Sequence, residues 1–118
     1  ADTDVTAYRT VLEEVPREGD PDIYGMLLHR KIDVVTFTAG SAVRNFVKVY
    51  GEDQAVDLLG NTEVAAIGPV TAQAAEQLGI RVSIQPATYT VAALVDAIAA
   101  HYQHDRPHEK TATKRVLS

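Results

Sequence analysis

The chain has 118 residues, with no cysteine, no tryptophan, one methionine and two phenylalanines. The lack of cysteine excludes a disulfide framework, a thiolate metal site and thiol redox chemistry. No apolar run approaches the roughly 18 residues of a membrane span. The first residues carry no signal-like pattern, so a cytoplasmic protein is expected. Positive charge is scarce: 11 Lys and Arg stand against 16 Asp and Glu, a net charge of −5. It is also unevenly placed. Residues 104–118 hold Arg106, Lys110, Lys114 and Arg115 against Asp105 and Glu109, net +2, which leaves −7 for the rest. Such an acidic body argues against a nucleic-acid binder. Any anionic ligand must therefore be held by local groups, because no global positive field is available. The glycine-rich nucleotide fingerprints are absent too: neither G-x-G-x-x-G nor G-x-x-x-x-G-K-[ST] occurs.

What is present is an ordinary globular composition, 46% apolar and 23% charged, of a length suited to one small domain. Two strand-to-helix junctions stand out. The first runs from Asp33 to Phe46 (DVVTFTAGSAVRNF), the second from Glu63 to Gly79 (EVAAIGPVTAQAAEQLG). Each is a short β-type run that breaks at small or hydroxyl residues and restarts as an amphipathic helix. Such a break sets the unpaired N–H groups of a helix start at the carboxyl end of a strand, where open α/β sheets bind ligands.

The remaining elements follow from periodicity. Asp4–Arg9 alternates and predicts a half-buried strand, with a charged loop from Glu13 to Asp20. Asp20-Pro21 predicts a helix start, followed by Ile23, Met26, Leu27 and Arg30 at helical spacing. Ile32–Phe37 predicts a strand buried on both faces. Val43, Phe46, Val47 and Tyr50 form the apolar stripe of the next helix, which Gly51 stops. Gln54–Leu59 predicts a shorter helix. Val64–Ile67 predicts a strand, then a helix between Gly68-Pro69 and Gly79, then a strand at Arg81–Gln85. Thr90 caps a last helix, with Val91, Leu94, Val95, Ile98 and Tyr102 on one face. The order β-α-β-α-(α)-β-α-β-α implies right-handed crossovers and a mainly parallel sheet of about four strands. Residues 104–118 lack periodicity and are expected to be a flexible tail.

At the first junction Ser41 suits an N-cap, and capping alone is the plainer reading. The functional reading is that Thr38, Ser41 and the N–H groups of Ala42 and Val43 hold a carboxylate or phosphate. At the second junction Gly68 permits close approach of a ligand to the backbone, and Thr71 falls in the first helical turn; capping is again the simpler alternative. His101, His104 and His108 lack zinc-ligand spacing, and Pro107 separates the last two, so no metal site is expected. His29, at a helix end, is read as structural.

Together these segments resemble the uroporphyrinogen-III synthase family. The matching pieces are Ala7–Thr10 (AYRT), Val34–Val43 (VVTFTAGSAV), Ala66–Ala72 (AIGPVTA) and Tyr89–Asp96 (YTVAALVD), in the family's order and at about its spacing. The family commonly reads Thr-Ser-Pro-Ser at the first junction; Ala39 and Gly40 replace the first serine and the proline, while Ser41 survives. The resemblance implies a cofactor-free enzyme of two flavodoxin-like three-layer domains joined by a linker. The substrate is hydroxymethylbilane, a linear tetrapyrrole with eight carboxylates, which is cyclised with inversion of one ring and loss of water. This chain matches only the C-terminal half. Residues 1–10 correspond to an interdomain linker strand, and 11–103 to most of a domain missing its first strand. Tyr8 matches the linker tyrosine, a candidate proton donor to the leaving hydroxyl, and Thr38, Ser41, Gly68 and Thr71 line the cleft. The fragment alone is expected to be inactive, with an exposed sheet edge or groove where the missing strand belongs and self-association through it.

Two other classes fit the same residues. One is a non-catalytic binding or sensor module from a fusion protein. The other is an unrelated receiver-like or flavodoxin-like domain. The first strand ends lack a receiver's acidic cluster, and the junction loops offer no aromatic to stack on a flavin.

Overall fold

Val34–Phe37 are all buried, the pattern of a strand covered on both faces. Around this strand the computed structural model, which describes residues 9–14, 23–103 and 111–117, builds a single parallel sheet. The elements in chain order are β1 (Arg9–Glu14), α1 (Ile23–Leu28), β2 (Val34–Phe37), α2 (Gly40–Tyr50), α3 (Glu52–Leu59), β3 (Glu63–Ala66), α4 (Pro69–Gln77), α5 (Val91–Gln103) and β4 (Thr111–Leu117). The strand order is β1-β4-β2-β3, every pair parallel. The chain is thus an α/β domain consistent with the flavodoxin-like expectation.

Among the described residues the two sheet faces are covered unequally. Side chains from α1, α2, α3 and α4 pack on one face around Val35, Phe37 and Leu117. On the other face Leu94, Ile98 and Tyr102 of α5 pack on Val34, Ala65 and Val116. The steps β1 to β2 and β2 to β3 run in one direction across the sheet and place their helices on the first face. The return to β4 runs the other way and places α5 on the second, as right-handed crossovers require. Gly79, at φ 84°, ends α4 in the left-handed conformation; Ile80 N–H bonds back to Ala75 O at 2.9 Å and Gly79 N–H to Glu76 O at 3.0 Å, the closing pattern that glycine allows. Thr90 caps α5 as expected, its Oγ1 accepting from Ala93 N–H at 3.1 Å.

Three expectations are corrected. The first strand lies at Arg9–Glu14, later than Asp4–Arg9. Residues 9 and 10 of the expected linker therefore open a strand of the sheet, whereas residues 1–8, and Asp20-Pro21 with them, lie outside the described residues. Arg81–Gln85 makes only a single bridge, Ile84 to Ala65, because Pro86 follows at once and has no N–H to extend a ladder. Finally, residues 111–117 of the expected tail form β4, which sits inside the sheet between β1 and β2 and occupies an interior position. Lys114 and Arg115 hide this strand in the sequence. In the structure Lys114 is buried, its ammonium 4.6 Å from the centre of the Tyr102 ring. Arg115 N–H bonds to Asp33 Oδ2 at 2.8 Å, and Asp33 N–H to Arg115 O at 2.9 Å.

Candidate anion-binding site at the carboxyl ends of β2 and β3

β2 and β3 are adjacent and in parallel register, Phe37 opposite Ala66. Their carboxyl ends therefore lie side by side, joined further by the Ile67 N–H bond to Phe37 O at 3.1 Å. Each end leads within three residues into a helix, α2 after Thr38-Ala39 and α4 after Ile67-Gly68. The result is two neighbouring helix starts facing the same edge of the sheet, where partial positive charge is concentrated.

Neither start is capped by a side chain. Ala39 is the N-cap of α2 and Gly68 that of α4, both in extended backbone without a side-chain cap bond. Ser41 lies two residues into α2 and so does not cap it. Its exposed side chain, and that of Thr38, make no hydrogen bond with a described residue. The donors are also redistributed. Ala42 N–H bonds to Ala39 O at 3.1 Å, and Val43 is the fourth residue of the helix and fully buried. The N–H groups of Gly40 and Ser41, ahead of Ala42 in the first turn of α2, make no hydrogen bond with a described residue and are the further donors there. At α4 Pro69 has no N–H, so Val70 and Thr71 carry the open ones. Thr71 is buried, yet its hydroxyl has no hydrogen-bond partner among the described residues.

Two contributors were not legible as site residues. A Cβ at Gly68 would meet the ring of Tyr89 at 3.2 Å, so the exposed tyrosine lies directly over this turn. A Cβ at Gly40 would meet Arg44 Nη1 at 3.2 Å and Ala74 Cβ at 3.4 Å. Gly40 thus lets α2 and α4 approach closely and leaves room for a guanidinium beside the start of α2. The i, i+4 relation of Gly40 and Arg44 could have flagged the second contributor; nothing in the sequence joins Tyr89 to Gly68. Tyr8 lies outside the described residues, as do His104 and His108. His101 lies at the opposite end of the sheet, its Nε2 3.6 Å from Glu63 Oε1. That oxygen already accepts from Ser83 Oγ at 2.6 Å, so the group is read as a structural cluster.

With this geometry in view, the comparison with known proteins decides the family. The family model for uroporphyrinogen-III synthase HemD matches residues 3–96. The chain belongs to the uroporphyrinogen-III synthase family. It is 37% identical over 101 residues to a putative uroporphyrinogen-III synthase of Methanothermobacter thermautotrophicus, covering 84% of this chain and 39% of that protein. It is 34% identical over 92 residues to a uroporphyrinogen-III synthase of Chlorobaculum parvum, covering 76% and 36%. A putative synthase of Methanocaldococcus jannaschii is 34% identical over 65 residues. The chain therefore spans under two fifths of the length of these curated relatives. No solved structure matches. The family match includes both junctions, and among the described residues no helix is long and apolar enough to cross a membrane.

Proposed function

We propose that this chain is the C-terminal part of a uroporphyrinogen-III synthase and supplies one wall of the cleft that holds hydroxymethylbilane. The observation that carries the reading is the pair of adjacent helix starts without side-chain caps, lying within the matched family segment. Thr38, Ser41 and Thr71 offer hydroxyls, Gly40, Ser41, Val70 and Thr71 offer N–H groups, and Arg44 offers a guanidinium. Together they grip acetate and propionate side chains, which is how an acidic body takes up a polyanion without a positive field. Gly68 lets Tyr89 close over the second turn.

The chemistry of this reading is one of positioning. The bilane loses its hydroxyl as water and becomes an electrophilic azafulvene. The terminal pyrrole attacks through its substituted carbon to give a spiro intermediate, which fragments and recombines with that ring inverted. Holding the two ends together supplies much of the rate. Tyr8 is the proposed donor of the proton that leaves with the hydroxyl. The facing wall comes from the remaining length of the enzyme, so the chain alone is inactive, and a cytoplasmic location belongs to the same reading.

The test is product identity. Enzymatically generated hydroxymethylbilane is incubated with the chain alone and with the chain joined to the part of a relative that it does not span. The expected products are uroporphyrinogen I alone, the spontaneous isomer, and then isomer III. Isomer I in both would sink the synthase reading and favour a binding or sensor module.

A further inference from the structure

Tyr89 brings an aromatic ring to the second junction. From the position of a Cβ at Gly68, three consecutive ring atoms, Cγ, Cδ1 and Cε1, lie at 3.4, 3.2 and 3.6 Å. Such nearly equal spacing belongs to a point above the face of the ring. Beyond its edge, the two outer atoms would lie markedly farther off than the middle one. One face of the ring therefore rests on the Gly68 backbone, an approach that a side chain at this position would obstruct. Tyr89 is 65% exposed, so the opposite face is open to water. Among the described residues the ring has no aromatic or cationic partner, and its hydroxyl makes no hydrogen bond. Val70, two residues after Gly68, and Val91, two residues after Tyr89, are 78% and 63% exposed. The contact of Tyr89 with Gly68 gathers this apolar surface at one corner of the molecule, the mark of an interaction site.

The same corner offers donors. α4 starts there with the open N–H groups of Val70 and Thr71. Thr71 is buried, its hydroxyl has no partner among the described residues, and a helical Cα–Cβ bond leans toward the helix start. A buried hydroxyl left unpaired in that place points to an acceptor that arrives with a ligand. A flat aromatic face beside donors for an anion suits one chemistry: a planar aromatic ring that carries a short carboxylate arm.

We propose that Tyr89 is the stacking platform for one pyrrole ring of the substrate, with an acetate or propionate arm of that ring held by the N–H groups of Val70 and Thr71 and the Thr71 hydroxyl. This rests on the reading of the junctions as one wall of the bilane cleft, and adds a hold on the ring itself to the hold on its acids. A carboxylate grip alone leaves the pyrrole free to turn about its flexible arm. An offset stack on Tyr89 fixes the plane of the ring, and that plane decides which ring carbon faces its reaction partner. The contact uses the face of the tyrosine and not its hydroxyl.

The test uses the full chain and two small diacids, followed by NMR titration. One is a pyrrole bearing adjacent acetate and propionate arms. The other is heptanedioate, which keeps the two carboxylates at the same carbon separation without the ring. The pyrrole diacid is expected to bind in the millimolar range, to move the Val70 and Thr71 amide signals, and to show ring protons shifted upfield by the Tyr89 ring current. Tyr89→Leu should weaken it about tenfold, with an unchanged circular dichroism spectrum because the position is exposed. Tyr89→Phe should bind it like the parent. Heptanedioate should bind the parent more weakly than the pyrrole diacid does, and bind Tyr89→Leu equally well. Equal binding of the pyrrole diacid to the parent and Tyr89→Leu would overturn the proposal, as would no binding of it to the parent. A parallel loss of heptanedioate in Tyr89→Leu would also overturn it, making Tyr89 a support of the α4 start. So would flavin mononucleotide binding more tightly than the pyrrole diacid and lost in Tyr89→Leu, which would give the platform to a flavin. No cyclisation is read in this assay, so isomer I from the joined enzyme would sink the synthase reading without altering any of these outcomes.

Discussion

Thr71 shows how a single residue separates capping from binding. A threonine that caps a helix contributes about 1 kcal/mol, lost on removing its hydroxyl. A buried hydroxyl without a partner does the opposite, because its desolvation is uncompensated. Thr71 is 5% exposed and three residues past the N-cap of α4, with no hydrogen bond among the described residues. Thr71→Val should therefore leave the chain as stable or slightly more so in urea denaturation, while raising the KM for hydroxymethylbilane or lowering the rate in the joined enzyme. A loss of about 1 kcal/mol with unchanged kinetics would return Thr71 to a structural role. The sequence marks Thr38, Ser41, Gly68 and Thr71 through their positions at strand-to-helix breaks. It misses the N–H groups of Gly40 and Ser41 because Ala39, and not Ser41, takes the extended N-cap conformation. It misses Tyr89 because the approach to Gly68 depends on the path of the chain after Ile84, which no local pattern encodes.

At the scale of elements, legibility follows whether local pattern and tertiary context agree. β2, β3 and the helices after them carry their own signals: β-branched runs, an apolar stripe, proline at the start and glycine at the end of α4. β4 does not. Its strand character comes from pairing with β1 along its length and with β2 at Val116 and Leu117, and Lys114 enters the interior only because the Tyr102 ring receives it. Conversely, Val82 and Ile84 alternate like a strand but find a ladder partner only at Ala65. Leu117 tests the difference. It is 1% exposed, packed in the larger core, and its carbonyl accepts from Thr36 Oγ1 at 3.3 Å. Leu117→Ala should cost about 3 kcal/mol by urea or thermal unfolding, the range for a buried leucine. A flexible tail would lose nothing, so a change under about 0.5 kcal/mol would remove β4 from the sheet.

For the molecule as a whole, the unequal cover of the two faces links stability to assembly. A domain of this size has little surplus burial, and a sheet face on which α5 is the one helix among the described residues gains from any partner that removes apolar surface from water. A ligand that binds only the folded chain stabilises it by mass action, about 2.7 kcal/mol when present at 100 times its dissociation constant. For a domain near 100 residues that corresponds to a rise in melting temperature of roughly 10 to 20 °C. The part of a relative that this chain does not span, if it completes the cleft, should therefore raise the melting temperature of this chain progressively with its concentration. A melting temperature that does not change with the concentration of that part would mean that the two do not bind each other, and would count against the proposed shared cleft.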